Sequence, residues 1–227
     1  AEAAAEEAAA VAEAAVAAAD ASAGDVLLHV PHDVLLTAHR SGVVGGLAGQ
    51  TDLTLDVVGD LRTEVGEERF RRGSTWDVRL AIALLEATAG CGDTFWDDYR
   101  KLLPLPPFTT HPLCLPAAML PGLQDEAVVG EAERRRALLD REYPLLQDHT
   151  LHPATATYER AGAPLSLIPP PLSWAYALVV SRCFAMADGD TFALVPFLDM
   201  AQHAARPCAN FTTSDGGGFR LVALRSL

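Results

Sequence analysis

A carboxylate, an amide and an imidazole fall within five positions of this chain: Asp199, Gln202 and His203, with Met200 among them. They follow Leu194-Val195-Pro196-Phe197-Leu198, an apolar run of the kind that enters a core. Such a cluster can hold a polar ligand at the mouth of an apolar pocket. Plainer readings stand beside that one. Asp199 can cap a following helix, and His203 can be a core histidine with its hydrogen bonds satisfied. Asp25, next to Gly24, reads as a polar turn residue. Arg182, taken alone on a helix, reads as a solvated or ion-paired charge. His149 and His152 lie close together, but no Cys, Asp or Glu pattern around them suits a metal, so they read as loop histidines.

The elements that would position these residues are legible in outline. Val26-Leu27-Leu28-His29-Val30 reads as a strand stopped by Pro31. Residues 76–89 have the periodicity of a strong helix ending at Gly90. Phe95, Trp96, Tyr99, Leu102 and Leu103 form a second, short amphipathic helix, with Phe95 and Trp96 as core anchors. Residues 104–116 hold five prolines and must be an irregular connector. Residues 124–147 read as a charged helix with Glu131, Glu133, Arg134, Arg135 and Arg136 on its wet face. Residues 174–186 read as a third strong helix anchored by Trp174, and residues 191–200 as a strand. Ser214-Asp215-Gly216-Gly217-Gly218 is a hairpin turn between residues 211–213 and 219–224. The expected fold class is α+β, with β segments at both ends and a helical block between them.

Composition narrows the function classes. The chain has 227 residues, half of them hydrophobic, which is enough for a substantial core. Its formal charge of −13 argues against a broad grip on nucleic acid or anionic lipid. A basic protein segment would be attracted instead. There is one lysine, Lys101, among 17 basic residues, which reads as a coding bias and not as function. Cys91, Cys114, Cys183 and Cys208 are far apart and read as reduced, mostly buried thiols. The Ala/Glu-rich residues 1–19 would be helical or disordered; with Glu2, Glu6, Glu7 and Glu13 they suit neither a membrane span nor a signal peptide. Cytoplasm, nucleus and plastid all remain compatible. A monomer is expected.

Four blocks carry a family resemblance. They are "AGDVLLHVPHDVLLT", "FWDDYRKLLPLPPFTTHPL", "SWAYALVVSRCF" and "LVPFLDMAQHAARPCANF", in that order. Together they resemble the SET-domain protein methyltransferases, in the branch of Rubisco large-subunit lysine methyltransferase and actin-histidine methyltransferase. The last block resembles that branch's "P-hydrophobic-x-D-hydrophobic-x-N-H" signature. The resemblance implies a β-rich SET core interrupted by a helical insert. Residues 1–22 would be an extra N-terminal segment, 23–40 and 173–227 the two parts of the core, and 41–172 the insert. It implies S-adenosyl-L-methionine as cofactor and a protein side chain as substrate, lysine in the first place and histidine as the alternative acceptor. A non-catalytic SET-like scaffold that recruits a partner protein is the competing reading. Residue by residue, Asp25, Val26 and Leu27 would line the adenosine. Arg182 would meet the cofactor carboxylate, and Asp199, Met200, Gln202 and His203 would form the cradling loop. No metal is implied.

The chain departs from the family pattern at three places. Ala12-Glu13-Ala14 stand where the family has Gly-x-Gly, and Gln202 stands where it has Asn. The family's tyrosine segment, which follows the strand matching residues 219–224, lies past Leu227. The resemblance therefore implies a C-terminally truncated core, inactive or nearly so as the chain stands. No catalytic residue is assigned within it.

Overall fold

The structure, a computed structural model, describes residues 20–40, 44–46, 74–88, 95–104, 111–149, 152, 168–201, 204–214 and 217–226. It is an α+β arrangement of four helices and two small antiparallel sheets among the described residues.

Leu, Ile and Ala crowd residues 76–87, and no proline or glycine interrupts them, so helix α1 (Trp76–Ala87) forms. Every residue from Val78 to Ala87 is buried, the mark of a helix inside a core and not on its surface. It stops short of the expected residue 89. The Thr88 hydroxyl donates to the carbonyls of Leu84, at 2.7 Å, and Leu85, at 3.3 Å, competing with continued helix. The counterpart is a helix over Pro171–Arg182, buried from Pro171 to Val179, which packs along α1. Leu36, Ala38, Ile82, Trp96, Trp174 and Leu178 belong to the core around this pair. The Trp174 indole N–H donates to the Pro104 carbonyl at 3.0 Å, so the large ring is buried without an orphaned donor.

The short helix α2 (Phe95–Tyr99) lies over this core, with Trp96 and Tyr99 buried. The charged helix α3 (Glu126–Glu142) is capped by the Asp125 carboxylate, which accepts from Ala127 N and Val128 N, both at 3.0 Å. Pro144 ends it, and Pro144–Gln147 continue as a 3-10 turn, not as helix to residue 147. The wet-face reading of its arginines holds for Arg134, exposed and paired with Glu131 at 2.9 Å. It fails for the other two. Arg135 lies over the Tyr176 ring at 5.0 Å. Arg136 donates to the carbonyls of Pro112, at 2.9 Å, and Leu113, at 3.1 Å, and also to that of Leu115. These carbonyls line the 3-10 turn Pro112–Cys114 and its end, where the Pro112 oxygen also accepts from Leu115 N at 3.3 Å, and the guanidinium gathers all three. Arg136→Met is expected to lower the urea midpoint by an amount equivalent to about 1–2 kcal/mol, with Arg136→Lys recovering less than half.

The helix that begins at Pro171, now α4 (Pro171–Arg182), starts earlier and ends earlier than residues 174–186. Proline suits its first turn. After it Cys183 turns extended, and Phe184–Ala185 form strand β4, drawn off the helix by pairing with β5 (Thr191–Leu194). The first sheet has the order β3-β2-β5-β4, with β2 (Leu36–His39) and β3 (Val44–Gly46). Its central register pairs Leu36 with Leu194 and Ala38 with Phe192. The second sheet has the order β1-β7-β6, with β1 (Val26–Val30), β6 (Ala209–Thr213) and β7 (Phe219–Ala223). Both sheets thus join an N-terminal strand to a C-terminal one. Val30, Leu35, Ala193, Val195, Leu198 and Phe219 form a second small core.

The β6–β7 hairpin forms where the glycines announce it. Gly217 sits at φ +78°, and a Cβ at Gly218 would stand 2.5 Å from the Val30 carbonyl. Only glycine lets β1 approach that closely. Cys114 is buried, Cys183 half-buried and Cys208 exposed, all free thiols; Cys91 lies outside the described residues. Burial pushes the Cys114 thiol up to about 12 and the Cys183 thiol up to about 11, which makes both poor nucleophiles. No described helix is long and apolar enough to cross a membrane.

Candidate functional site

Among the described residues, Asp199 is the centre of the one cluster that the structure builds from the residues singled out above. Strand β5 ends at Leu194, and a turn through Pro196 and Phe197 leads into a single 3-10 turn, Leu198–Met200. The strand expected over residues 191–200 therefore stops half-way. The reason is a tight reversal with Phe197 at φ +66°, ψ −37°, a conformation that costs a residue with a Cβ on the order of 1–3 kcal/mol. Among the described residues Asp199 caps no following helix. Instead its side chain, 3% exposed, points back beneath α4.

Arg182, the last residue of α4, reaches it from above. Its Nη1 donates to Asp199 Oδ2 at 3.2 Å and to the Asp199 backbone carbonyl at 3.3 Å. Among the described residues both hydrogen bonds of Arg182 leave from that one nitrogen. Ser181, its neighbour, is turned onto its own helix and donates to the Ala177 carbonyl at 2.6 Å.

The third member comes from α2. The Tyr99 hydroxyl donates to Asp199 Oδ1 and accepts from the Phe197 backbone N–H at 3.0 Å. Sequence reading placed Tyr99 on the apolar face of a short helix and assigned it nothing more. A signal was available: a tyrosine at a core position must find a partner for its hydroxyl. That partner could not be named, because it lies 100 positions away.

The electrostatics follow from burial. Desolvation pushes the Asp199 carboxyl above its ordinary value of 3.8, although the Tyr99 hydroxyl and the Arg182 guanidinium both pull the other way. Desolvation, then the neighbouring Asp199 charge, pushes the Tyr99 phenol far above its usual 10, so it stays a donor at every accessible pH. The cavity beside this triad has a volume of about 10 Å³ and is lined by Leu84, Trp96, Leu178, Leu194 and Pro196 with the triad itself. That is room for about one water. A larger hollow of about 470 Å³ lies elsewhere, between α3, α4 and the turn at Pro112–Cys114.

The other singled-out residues are placed as follows. Met200 is 37% exposed on the loop beside Asp199, and Phe197 is 45% exposed. Asp25 sits in the exposed turn before β1, where its carboxylate accepts from Ser22 N at 2.8 Å and its carbonyl accepts from Ala223 N at 2.9 Å. Val26 is exposed and Leu27 half-buried, both on β1 in the sheet that does not hold β5. Gln202 and His203 lie outside the described residues. So Arg182 and Asp199 meet directly, while the hydrogen bonds of Asp25 among the described residues stay within its own turn and β7. Of the two close histidines, His152 lies outside any helix or strand, as a loop histidine should, and is buried against the Trp174 ring, 5.1 Å away. Among the described residues no three His, Cys, Asp or Glu side chains converge as metal ligands would. The chain matches no protein-family model and no curated protein.

Proposed function

We propose that the chain carries a SET-type methyltransferase core that binds S-adenosyl-L-methionine, with a protein lysine as the acceptor. The observation that carries this reading is the meeting of Arg182 and Asp199 at 3.2 Å. They stand in two of the four sequence blocks that carry the resemblance. The joining of N-terminal and C-terminal strands around a helical block supports it further.

The donor set fits the amino-acid end of the cofactor. A guanidinium offers a planar fork to a carboxylate, and with Nη1 held by Asp199, the edge formed by Nε and Nη2 is the one that would take it. The small cavity does not fit the adenosine, which would lie outside it. When bound, the cofactor supplies an electrophilic methyl group on a sulfonium. The protein's task is then to align donor and acceptor, exclude water, and meet the amine in its neutral form. An apolar surround favours the neutral amine. The formal charge of −13 favours approach of a basic segment.

Isothermal titration calorimetry tests the reading. The expected result is saturable binding of S-adenosyl-L-methionine, weakened about tenfold or more in Arg182→Gln. Absence of binding by the parent protein would overturn it. The competing reading, a non-catalytic scaffold of the same fold, draws on the closed state of the cluster: Asp199 already neutralises Arg182, and the adjoining space admits one water. Histidine as the acceptor is decided separately, by identifying the methylated residue after radiolabelled transfer.

A further inference from the structure

We infer that Tyr99 is the positioning residue of this cluster: its hydroxyl locks the Phe197 turn and the Asp199 carboxylate into one geometry, and thereby sets where Arg182 points. The inference rests on the cofactor reading for its ligand, but not for its geometry.

One oxygen performs two tasks. As a donor it holds Asp199 Oδ1, which leaves Oδ2 for Arg182. As an acceptor it takes the Phe197 N–H at the strained position itself. A turn at φ +66° on a phenylalanine persists only where its surroundings over-determine it. The ring of Tyr99 adds to that constraint, standing edge-on to Phe197 at 5.2 Å and stacked on Phe95 at 5.7 Å. Tyr99 is 2% exposed and cannot swing away without opening the core. The order of dependence is Tyr99, then Asp199, then Arg182. Tyr99 touches no ligand in this scheme and acts only through the other two.

Two substitutions at position 99 test it, each followed by two measurements. The first measurement is the titration of the Asp199 carboxyl carbon by NMR in the protein alone. The second is calorimetric affinity for S-adenosyl-L-methionine. Tyr99→Phe keeps the ring and removes the hydroxyl. The Asp199 midpoint is expected to rise, because a donor to its charged form is lost, and the affinity to fall about tenfold. Site-specific incorporation of 3-fluorotyrosine keeps the fold and strengthens the donor, so the Asp199 midpoint is expected to fall. Shifts in opposite directions support the inference. An Asp199 titration that stays unmoved in the fluorotyrosine protein overturns it, even if Tyr99→Phe does not fold. Unchanged affinity in Tyr99→Phe, beside weakened binding in Arg182→Gln, also overturns it and leaves the cofactor reading standing. If the parent does not bind the cofactor at all, that reading fails, and the NMR titration still decides the role of Tyr99.

Discussion

Arg79→Met is expected to lower the unfolding free energy by about 3 kcal/mol, measured as a fall in the urea midpoint at unchanged slope. Arg79 is 2% exposed on the first turns of α1. Its Nη1 donates to the Ser74 carbonyl, and its Nη2 to the carbonyls of His39, at 2.7 Å, and Arg40, at 3.2 Å. Those oxygens lie where β2 ends and where the chain enters α1. The His39 oxygen stands at the last register pair of β2, opposite Thr191, and the Ser74 oxygen just before α1, so the guanidinium ties the two elements together. Removing the guanidinium leaves several carbonyls facing an apolar side chain, each at a cost of about 1–3 kcal/mol. Part of that is offset, because a cation no longer has to be buried. The cost of burying it is visible in its acidity: desolvation lowers the Arg79 pKa despite the nearby Asp77. Methionine is chosen to keep the volume, so that the loss reports the polar contacts and not a void. Arg79→Lys is expected to recover only part of the loss, since one ammonium cannot span two elements as a fork does. A loss below about 0.5 kcal/mol in Arg79→Met would show that relaxation or water replaces the guanidinium, and that β2 and α1 are not pinned through it.

Mild acid is expected to destabilise the protein through His152. Burial beneath the core surface, with His149 adding to it, drops the His152 imidazole from its ordinary 6.5 to about 4. Between those values the unfolded chain binds a proton that the folded chain refuses. Stability from this group is therefore complete above pH 6.5 and is lost as the pH falls towards 4. The loss is about 1 kcal/mol between pH 7 and 5.5 and about 3 kcal/mol by pH 4. The structural cause is specific: the ring packs at 5.1 Å against Trp174, a side chain with no exposed surface, and a charged imidazolium there would have to be desolvated. Urea unfolding of the parent and of His152→Gln, compared at pH 7 and pH 5.5, isolates the effect from the many carboxylates. The variant is expected to be less stable at pH 7 but flatter with pH. Equal pH slopes for the two proteins would show that His152 is protonated in the folded state.

Local pattern was enough for the elements with one-sided rules. Residues 76–87 carry a mostly apolar, helix-favouring sequence with no Pro or Gly, and α1 forms there. The glycine-rich turn announces the β6–β7 hairpin, because Gly217 needs its positive φ and Gly218 needs to lack a Cβ. Residues 183–186 show the opposite case. Ala185 and Met186 favour a helix, which extends the expected helix to residue 186, yet pairing with β5 makes a strand of Phe184 and Ala185. Arg134, Arg135 and Arg136 are chemically alike and adjacent, and they have three different fates: an exposed ion pair, a tyrosine face and the carbonyls of the turn at Pro112–Cys114. Nothing within the helix distinguishes them, since the partners of two of them lie on other elements.

The same division runs through the candidate site. Residue types and spacing singled out Asp199 near the end of an expected strand and indicated an α+β chain, while Arg182, read alone as an ion-paired or solvated charge within a helix, was singled out only by the family resemblance. They could not say that the strand would stop at Leu194, that Phe197 would reverse the chain, or that Tyr99 would hold both the reversal and the carboxylate. Those features depend on β2 pairing with β5 and on α2 lying across the turn, contacts between residues roughly 100 to 160 positions apart. Periodicity is a property of neighbours along the chain, whereas a buried carboxylate takes whichever donors the packed elements bring to it. Only the tertiary structure could decide that one of those donors is a tyrosine.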